Sequence, residues 1–298
     1  MADATLLACD WGTTNLRAWT LDGRGSVVAQ RDFPLGVSKL APGEAAQRFE
    51  AEVRSALNAR RLPAILCGMV GSNIGWTTAP YANCPAGLDD LARNLTAVAD
   101  EVCIVPGLRC DGIAGGPDVM RGEETQIVGW LAQHPDRQVG RHLLCHPGTH
   151  AKWVLIDEGR IVRFVTAMTG ELFAVMSQHS LLKSDAPPDD DDAFDEGLAA
   201  AGAGDALAAR LFTARARVVG GKADAETTPS YLSGLLIGAE VASTPQLLGV
   251  TPERVALLGD ATLCDRYRRA LTRAGVEAET FDGEAAAVAG LFALGGRA

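Results

Sequence analysis

Two stretches of the chain, about 135 residues apart, repeat one pattern of apolar strand, Gly-Thr turn, apolar strand, charged turn and third strand. The first lies within residues 5–33 and has Asp-Trp-Gly-Thr-Thr-Asn at its Gly-Thr turn. The second lies within residues 142–170 and has His-Pro-Gly-Thr-His there. Short strands joined by tight turns are typical of a β-meander. Because the meander occurs twice, we predict two related domains.

The stretches outside the two meanders alternate between strand and helix patterns. Buried strands are predicted at residues 63–71, 101–108 and 254–259. Helices are predicted at residues 43–60, 87–99, 170–182, 197–219, 228–244, 263–275 and 283–295. Residues 184–197, rich in Asp and containing Pro, are predicted to form a solvated linker. Strands alternating with helices need crossover connections, so the predicted fold class is α/β with a mixed sheet.

The predicted domains are residues 1–138, which contain the first meander, and residues 139–298, which contain the second. The last helix either stays with the second domain or packs back on the first. A chain of 298 residues with 47% hydrophobic residues has enough apolar material for two cores.

The net charge limits the class of binding partner, and the cysteine content indicates the cellular compartment. The formal net charge of −10 argues against nucleic acid or an anionic membrane as the main partner. The seven cysteines are odd in number and contain no Cys-x-x-Cys, which indicates reduced thiols in a cytoplasmic protein. We expect neither a signal peptide nor a membrane span, because the apolar start is short and interrupted by Asp10.

The first Gly-Thr turn places small and hydroxyl residues beside an acid. Backbone N–H groups and hydroxyls in such a turn can hold a phosphate chain, and an adjacent carboxylate can hold its metal. The residues concerned are Asp10, Gly12, Thr13, Thr14, Asn15 and Arg17. The alternative for Asp10 is a turn-capping acid.

The second turn contains His146 and His150, four residues apart. Pro147 makes a helix unlikely there, so the two imidazoles need not share a face and a zinc site is rejected. Gly148 and Thr149 suit a phosphate-binding turn. Lys152 supplies a charge to phosphate or substrate, or is a solvent-facing strand residue.

These turns, in order and together with Gly-x-x-x-Leu at residues 259–263, resemble the acetate and sugar kinase, Hsp70 and actin superfamily. Five longer segments resemble the 2-dehydro-3-deoxygalactonokinase family: residues 10–19, 67–87, 115–130, 145–154 and 169–182. The resemblance implies two related ribonuclease H-like domains with an ATP cleft between them, the actin-like ATPase fold. It also implies ATP- and Mg²⁺-dependent phosphorylation of the 6-hydroxyl of 2-dehydro-3-deoxy-D-galactonate, in galactonate breakdown. A homodimer is left open.

The resemblance gives the candidate residues their roles. Asp10 holds Mg²⁺, the two turns hold the phosphates, and Gly259 opens the adenosine segment. Ser233, Gly234 and Gly238 form the opposite wall of the adenosine site, or serve close helix packing.

The catalytic base is sought in the segment between the two halves. Glu124 is favoured, then Glu123, then Asp118, because a related stretch in the exopolyphosphatase branch of the superfamily carries the activating glutamate. The alternative for the glutamates is a helix start, where acids favour the dipole.

The candidates for binding the sugar acid are Ser72, Asn73, Trp76, Tyr81, Arg121 and Glu171. At residues 73–74 the chain has Asn-Ile where the family pattern has Arg-Gln, so that loop supplies no cation. Two alternative functions stay open: a phosphoanhydride hydrolase of the exopolyphosphatase type, and a nucleotide-binding regulator without transfer.

Overall fold

The structure is a computed structural model that describes residues 3–297, apart from the side chain of Ala114. The strands are β1 (Ala4–Trp11), β2 (Leu16–Asp22), β3 (Val27–Phe33), β4 (Ala64–Cys67), β5 (Tyr81–Asn83), β6 (Thr96–Ala99), β7 (Val102–Ile104), β8 (Gly107–Asp111), β9 (Pro117–Met120), β10 (Arg141–His146), β11 (Ala151–Asp157), β12 (Arg160–Ala167), β13 (Arg254–Gly259) and β14 (Glu277–Asp282). The helices are α1 (Ala45–Arg48), α2 (Leu88–Arg93), α3 (Glu123–Gln133), α4 (Thr169–His179), α5 (Asp191–Ala201), α6 (Leu207–Val219), α7 (Thr228–Leu247), α8 (Ala261–Arg273) and α9 (Gly283–Gly295). Helix α1 continues as a π-helical turn, Phe49–Arg54.

The chain packs as two compact units. Unit 1 runs up to Arg141 and includes Ile156–Arg163 and the residues from Asp282 onward. Unit 2 consists of His142–Leu155 and Phe164–Phe281. The predicted domain boundary at residues 138/139 stays a prediction.

Unit 1 is built on a sheet of order β3-β2-β1-β4-β7-β6. The predicted first meander is confirmed: β1 pairs antiparallel with β2, and β2 with β3. Strand β4 then joins β1 in parallel, which is the crossover expected of an α/β fold. Alternate residues of β1, Leu7, Cys9 and Trp11, enter one core with Phe49 and Val53.

Helices α3 and α9 pack together in unit 1 at very short range. A Cβ at Gly129 would lie 1.9 Å from the Ala286 carbonyl oxygen, and one at Gly290 would lie 2.0 Å from the Thr125 carbonyl oxygen. Only glycine permits this approach. Helix α9 also contacts β1 and β4. The first turn of α3, which carries the candidate bases, is therefore fixed by α9.

The second meander is also confirmed, in a sheet of order β12-β11-β10-β13-β14. Strand β13 pairs parallel with β10. Trp153, Leu257 and Tyr267 lie in the core formed with α7 and α8. Strands β5, β8 and β9 form a separate small sheet.

Several sequence-based assignments were wrong. The helix predicted at residues 87–99 ends at Arg93, and Thr96–Ala99 is strand β6, where Thr96 and Val98 are half-buried and their neighbours exposed. The period of two in these four residues outweighed the helix-forming residues before them. The strand predicted at 101–108 is split at residues 105–106 into β7 and β8. Strand β14 and the small sheet were not predicted.

The predicted acidic linker is wrong from residue 191 onward. Asp190 is the N-cap of α5, its Oδ1 accepting the amide N–H of Ala193 at 2.8 Å. Arg269 pairs with Asp191 and, at 2.9 Å, with Asp195. The acids thus suit a helix start. The helix predicted at 197–219 is two helices, because Gly202 and Gly204 adopt positive φ between α5 and α6.

The segment that carries the candidate bases, predicted to lie between the two halves, is not a linker. Its residues form β9 and the start of α3, both inside unit 1. Within residues 3–297, none of the helices has both the length and the apolar character needed to cross a bilayer.

Candidate active site

The first turn, Gly12–Asn15, is closed by the Gly12 amide, which donates to the Asn15 carbonyl at 2.9 Å. The amide of Val37 donates to the Gly12 carbonyl at 3.1 Å, and the amide and hydroxyl of Ser38 donate to the Thr13 carbonyl at 3.1 and 2.7 Å. Thr13 and Thr14 are exposed, and their amides donate to no acceptor in the described part of the chain. Consecutive free amides of this kind form an anion-binding nest.

Asp10 lies near the end of β1, beside this turn. Gly68, at φ +89°, follows β4, and a Cβ there would lie 3.0 Å from the Asp10 Oδ1. Burial raises the pKa of Asp10 to about 6; the Arg17 charge and a Cys67 hydrogen bond lower it, and the Glu123 carboxylate raises it. Asp10 and Glu123 are therefore close enough for their charges to interact.

The first turn of α3 carries Glu123 and Glu124 near Asp10, and the two side chains have different surroundings. Gly122, at φ +111°, packs against Gly68, to whose Cα a Cβ would be 3.3 Å. The Glu123 Oε2 accepts the Arg121 amide at 3.0 Å, and its side chain is half-buried. Glu124 is fully buried; its Oε2 accepts the Gly122 amide at 2.7 Å and its Oε1 accepts the Thr125 hydroxyl at 3.0 Å.

Burial raises the pKa of Glu124 to about 8, helped by the neighbouring Glu123 charge and opposed by the hydrogen bonds from Gly122 and Thr125. At neutral pH this carboxyl is mostly protonated. Asp118 lies apart from this helix turn on β9, where its Oδ1 accepts the Val119 amide at 2.8 Å.

A cavity of about 710 Å³ opens in unit 1. It is lined by Val37, Ser38, Leu40, Pro42, Gly43 and residues 72–78. Three predicted substrate residues, Ser72, Asn73 and Trp76, line this cavity, which we call the acceptor cavity after the role predicted for them. The Ser72 hydroxyl donates to the Met69 carbonyl at 2.7 Å, which shapes the loop.

Arg121 lies beneath the loop that lines the acceptor cavity. Its guanidinium carbon lies 4.3 Å from the centre of the Tyr81 ring, and its Nη2 donates to the Ala79 carbonyl at 2.8 Å. A Cβ at Gly71 would lie 2.9 Å from its Nη1. The Nε and Nη1 atoms are buried and have no hydrogen-bond partner. Burying a guanidinium whose N–H donors have no acceptor destabilises the fold, so a ligand that supplies an acceptor there would be bound favourably.

The second turn, Pro147–His150, repeats the scheme of the first in unit 2. The Glu171 amide donates to the Thr149 carbonyl at 3.0 Å, while the amides of Gly148 and Thr149 have no acceptor among residues 3–297. A Cβ at Gly170 would lie 2.5 Å from the Gly148 carbonyl, just as one at Gly36 would lie 2.1 Å from the Thr13 carbonyl.

Gly36 and Gly170 were missed at the sequence level, although a signal exists. Each comes three residues after the third strand of its meander, which ends at Phe33 in one copy and Ala167 in the other. The repeat therefore extends beyond the strands to the residues that hold each turn.

The side chains around the second turn differ from expectation. Lys152 is buried, with its Nζ donating to the His150 carbonyl at 3.1 Å, so the alternative of a solvent-facing lysine is wrong. Glu171, a predicted substrate residue, lies in unit 2 with its carboxylate hydrogen-bonded to the His150 Nε2, and is not among the residues lining the acceptor cavity. No helix spans His146 and His150, as predicted.

A cavity of about 500 Å³ in unit 2 adjoins the second turn. Its lining combines Gly148 and Thr149 with Ser233, Asp260, Arg266 and Tyr267. Arg266 and Tyr267 were missed, because helix α8 reads as an ordinary amphipathic helix. Gly259 comes directly before Asp260 in the sequence and lies next to Pro147. A Cβ at Gly259 would be 3.6 Å from the Pro147 carbonyl oxygen.

Gly234 and Gly238 do not line this cavity. A Cβ at Gly234 would lie 2.0 Å from the Phe194 carbonyl, and one at Gly238 would lie 2.7 Å from the Ala201 Cβ. Both glycines let α7 approach α5, which is the helix-packing alternative. Ser233 faces the cavity and accepts a hydrogen bond from Arg266 Nη1 at 3.0 Å.

Within residues 3–297, no three His, Cys, Asp or Glu side chains gather into a metal-binding set. Mg²⁺ commonly keeps several waters and uses one or two carboxylates. Asp10, next to a nest of free amides, is compatible with that mode of binding.

The sequence model of one family, described as 2-keto-3-deoxy-galactonokinase, matches residues 10–294. The chain belongs to the 2-keto-3-deoxy-galactonokinase family. The 2-dehydro-3-deoxygalactonokinase of Escherichia coli strain K12 is 38% identical over 290 residues, covering 97% of this chain and 96% of the relative. A Rhizobium meliloti strain 1021 protein, provisionally given the same name, is 36% identical over 296 residues, covering 96% and 95%. The predicted resemblance is thereby confirmed.

Solved structures agree with this galactonokinase family assignment. A crystal structure from Sinorhizobium meliloti, provisionally described as a 2-dehydro-3-deoxygalactonokinase, superimposes with a TM-score of 0.86 at 34% identity and covers 97% of both chains. The activator of the 2-hydroxyisocaproyl-CoA dehydratase from Clostridium difficile, solved with ADPNP bound, reaches 0.51 at 13% identity, covering 99% of this chain and 96% of that one. The second likeness concerns the fold alone, and the predicted actin-like fold class is confirmed.

Proposed function

We propose that this protein transfers the γ-phosphoryl group of ATP to the 6-hydroxyl of 2-dehydro-3-deoxy-D-galactonate. The proposal rests on the family and on one structural observation. In the first turn the Gly12 and Thr13 carbonyls accept hydrogen bonds while, among the described residues, the Thr13 and Thr14 amides donate none, and the turn lies next to a pair of interacting carboxylates. Phosphoryl transfer depends mainly on positioning and on electrostatic stabilisation of phosphate oxygens, and this arrangement supplies both.

The two turns would bind phosphate oxygens through the amides of Thr13, Thr14, Gly148 and Thr149. Asn15 and Arg17 extend the first turn. The Arg17 guanidinium is half exposed and lies 3.7 Å from Glu284, a weak pairing that leaves it able to turn toward an anion.

Asp10 would hold Mg²⁺ through water or directly. When bound, the metal neutralises charge on the phosphate oxygens. Asp10 is a half-buried residue, and no set of three His, Cys, Asp or Glu side chains gathers around it within the described residues, which suits a hydrated ion better than a closed ligand cage.

We assign the role of base to Glu123 rather than to Glu124, which the sequence favoured. Both Glu124 oxygens are used inside the protein, and its raised pKa of about 8 keeps it protonated at neutral pH. A protonated carboxyl cannot accept the proton of the acceptor hydroxyl. Glu123 is half-buried, and its carboxylate is close enough to Asp10 for their charges to interact, so Glu123 is the better placed of the two.

The sugar acid would occupy the acceptor cavity. Ser72, Asn73 and Trp76 would contact its hydroxyls and carbon chain, as they line the wall. Arg121 would bind its carboxylate with the unused Nε and Nη1, after a small shift of the loop above it. Tyr81 would keep the guanidinium in place by stacking.

The nucleoside would occupy the unit 2 cavity, whose walls include apolar side chains from α4, α7 and α8. Leu236, Ile237 and Phe173 would give a purine apolar contacts, and Ser233, Asp260 and Arg266 would give it polar ones.

The test is an assay of the purified protein with ATP, Mg²⁺ and the keto-deoxy acid. We expect ADP to appear only when the acid is present, with one phosphate monoester formed per ADP, detected by phosphorus NMR. Steady phosphate release without the acid would indicate the hydrolase instead. Nucleotide binding with neither product would indicate the regulator.

A further inference from the structure

Ser38 belongs to two features of unit 1 at once. It lines the acceptor cavity, and its amide and hydroxyl both donate to the Thr13 carbonyl, at 3.1 and 2.7 Å. The sequence patterns did not single it out. A residue shared by a cavity wall and an anion-binding turn can transmit a change from one to the other.

The contact between the Gly36–Ser38 segment and the first turn is tight. A Cβ at Gly36 would lie 2.1 Å from the Thr13 carbonyl oxygen and 2.3 Å from the Thr14 Cα. Val37 is buried in the core of unit 1 and donates its amide to the Gly12 carbonyl. The segment and the turn must therefore move together.

These hydrogen bonds also set the direction of the free amides. The carbonyl of one residue and the amide N–H of the next belong to one planar trans peptide group and point in opposite directions. Holding the Thr13 oxygen therefore aims the Thr14 N–H away from the segment. Holding the Gly12 oxygen does the same for the Thr13 N–H.

We infer that Ser38 is a positioning residue that couples occupancy of the acceptor cavity to the aim of the phosphate-binding amides. The inference rests on the proposed function, since it takes the acceptor cavity as the site of the sugar acid. An acid that fills the cavity contacts Ser38 and restrains the Gly36–Ser38 segment. The nest is then ordered before the nucleotide arrives, so the acid strengthens nucleotide binding, and by linkage the nucleotide strengthens binding of the acid.

The experiment measures the dissociation constant of a non-hydrolysable ATP analogue with Mg²⁺ by calorimetry, with and without saturating keto-deoxy acid. The ratio of the two constants is the coupling factor. In the wild type we expect the acid to tighten binding several-fold. Ser38→Ala removes one of two hydrogen bonds to the Thr13 carbonyl, and we expect it to reduce the coupling factor about threefold, toward one.

Two further variants separate positioning from general damage. Ser38→Thr keeps the hydroxyl and should restore the coupling factor. Ser26→Ala removes an exposed serine hydroxyl from the β2–β3 turn of the same meander and should leave the factor at the wild-type value. Thermal melting of all variants should agree within a few degrees.

An unchanged coupling factor in Ser38→Ala, or a wild-type factor of one, would overturn the inference while leaving the kinase assignment intact. If the wild type forms no phosphorylated acid, the proposed function fails and the inference fails with it. The transfer assay and the calorimetric ratio thus identify which statement is wrong.

Discussion

Replacing Glu124 by Gln tests the electrostatics of the candidate site most directly. The Glu124 carboxyl is fully buried, and burial raises its pKa from an ordinary 4.5 to about 8. Glutamine has the same shape and cannot ionise. Its oxygen can accept the Gly122 amide and its nitrogen can donate to the Thr125 hydroxyl, so both hydrogen bonds of Glu124 persist.

The sign and size of the effect follow from proton linkage. A carboxyl with a raised pKa in the folded state stabilises the fold fully below pH 4.5 and loses that contribution as the pH rises to about 8. At about pH 7 the unfolded chain has released this proton and the folded chain has kept it. The difference of about 2.5 pH units between pH 7 and the unfolded pKa of 4.5 lowers the free energy of unfolding of the wild type by about 3 kcal/mol. The variant has no carboxyl to ionise and keeps this stability.

The assay is urea unfolding of both proteins at about pH 5 and about pH 7, followed by tryptophan fluorescence. Trp11, Trp19, Trp76 and Trp130 belong to unit 1, so the signal reports mainly on the unit that contains Glu124. We expect Glu124→Gln to exceed the wild type by about 3 kcal/mol at the higher pH and by less than about 1 kcal/mol at the lower. Glu226→Gln, at an exposed position, controls for the loss of one negative charge.

A constant difference between the two proteins at both pH values would refute the reasoning, because it would mean that Glu124 titrates alike in the folded and unfolded chains. Activity gives a second check. Turnover within about tenfold of wild type supports Glu123 as the base, whereas a loss of about 10²- to 10⁴-fold would assign that role to Glu124.

Four further changes test the remaining parts of the proposal. Glu123→Gln should lower kcat about 10²- to 10⁴-fold while the Kd of ATP changes little, and unaltered kcat would remove Glu123 from the base role. Asp10→Asn should raise the Mg²⁺ concentration needed for half-maximal activity at least tenfold; a titration matching wild type would make Asp10 a turn-capping acid. Arg121→Lys keeps the charge but loses the fork of donors, so the KM for the sugar acid should rise about tenfold or more with the KM for ATP unchanged, and the opposite pattern would place the carboxylate elsewhere. Gly290→Ala would put a methyl group 2.0 Å from the Thr125 carbonyl and should destabilise unit 1 by about 1–3 kcal/mol in urea unfolding, in contrast to Gly296→Ala, whose Cβ would have its nearest neighbour at 3.7 Å.

Local patterns predicted the elements that depend on neighbours in sequence. Both meanders and the helix carrying Ser233 follow from apolar spacing and turn residues, and the phosphate-turn candidates follow from the meanders. Thr96 and Val98 show the limit of this reasoning, because their strand pairing with β7 overrode a helical context.

The choice between Glu123 and Glu124 depended on tertiary packing. The two residues are adjacent and chemically identical, and both start the same helix. In the folded protein Gly122 packs against Gly68, and Glu124 is fully buried while Glu123 is half-buried. Ser38 was missed for a similar reason, since its contact with Thr13 joins residues 25 positions apart that no periodic pattern links.

The packing of α9 on α3 constrains the order in which the protein can become active during synthesis. Residues 283–295 leave the ribosome about 160 residues after the glutamates whose helix they support, with all of unit 2 translated in between. The nascent chain therefore exposes the apolar faces of β1 and β4 until α9 emerges. Folding intermediates of unit 1 should be the stage at which this enzyme most needs protection from aggregation.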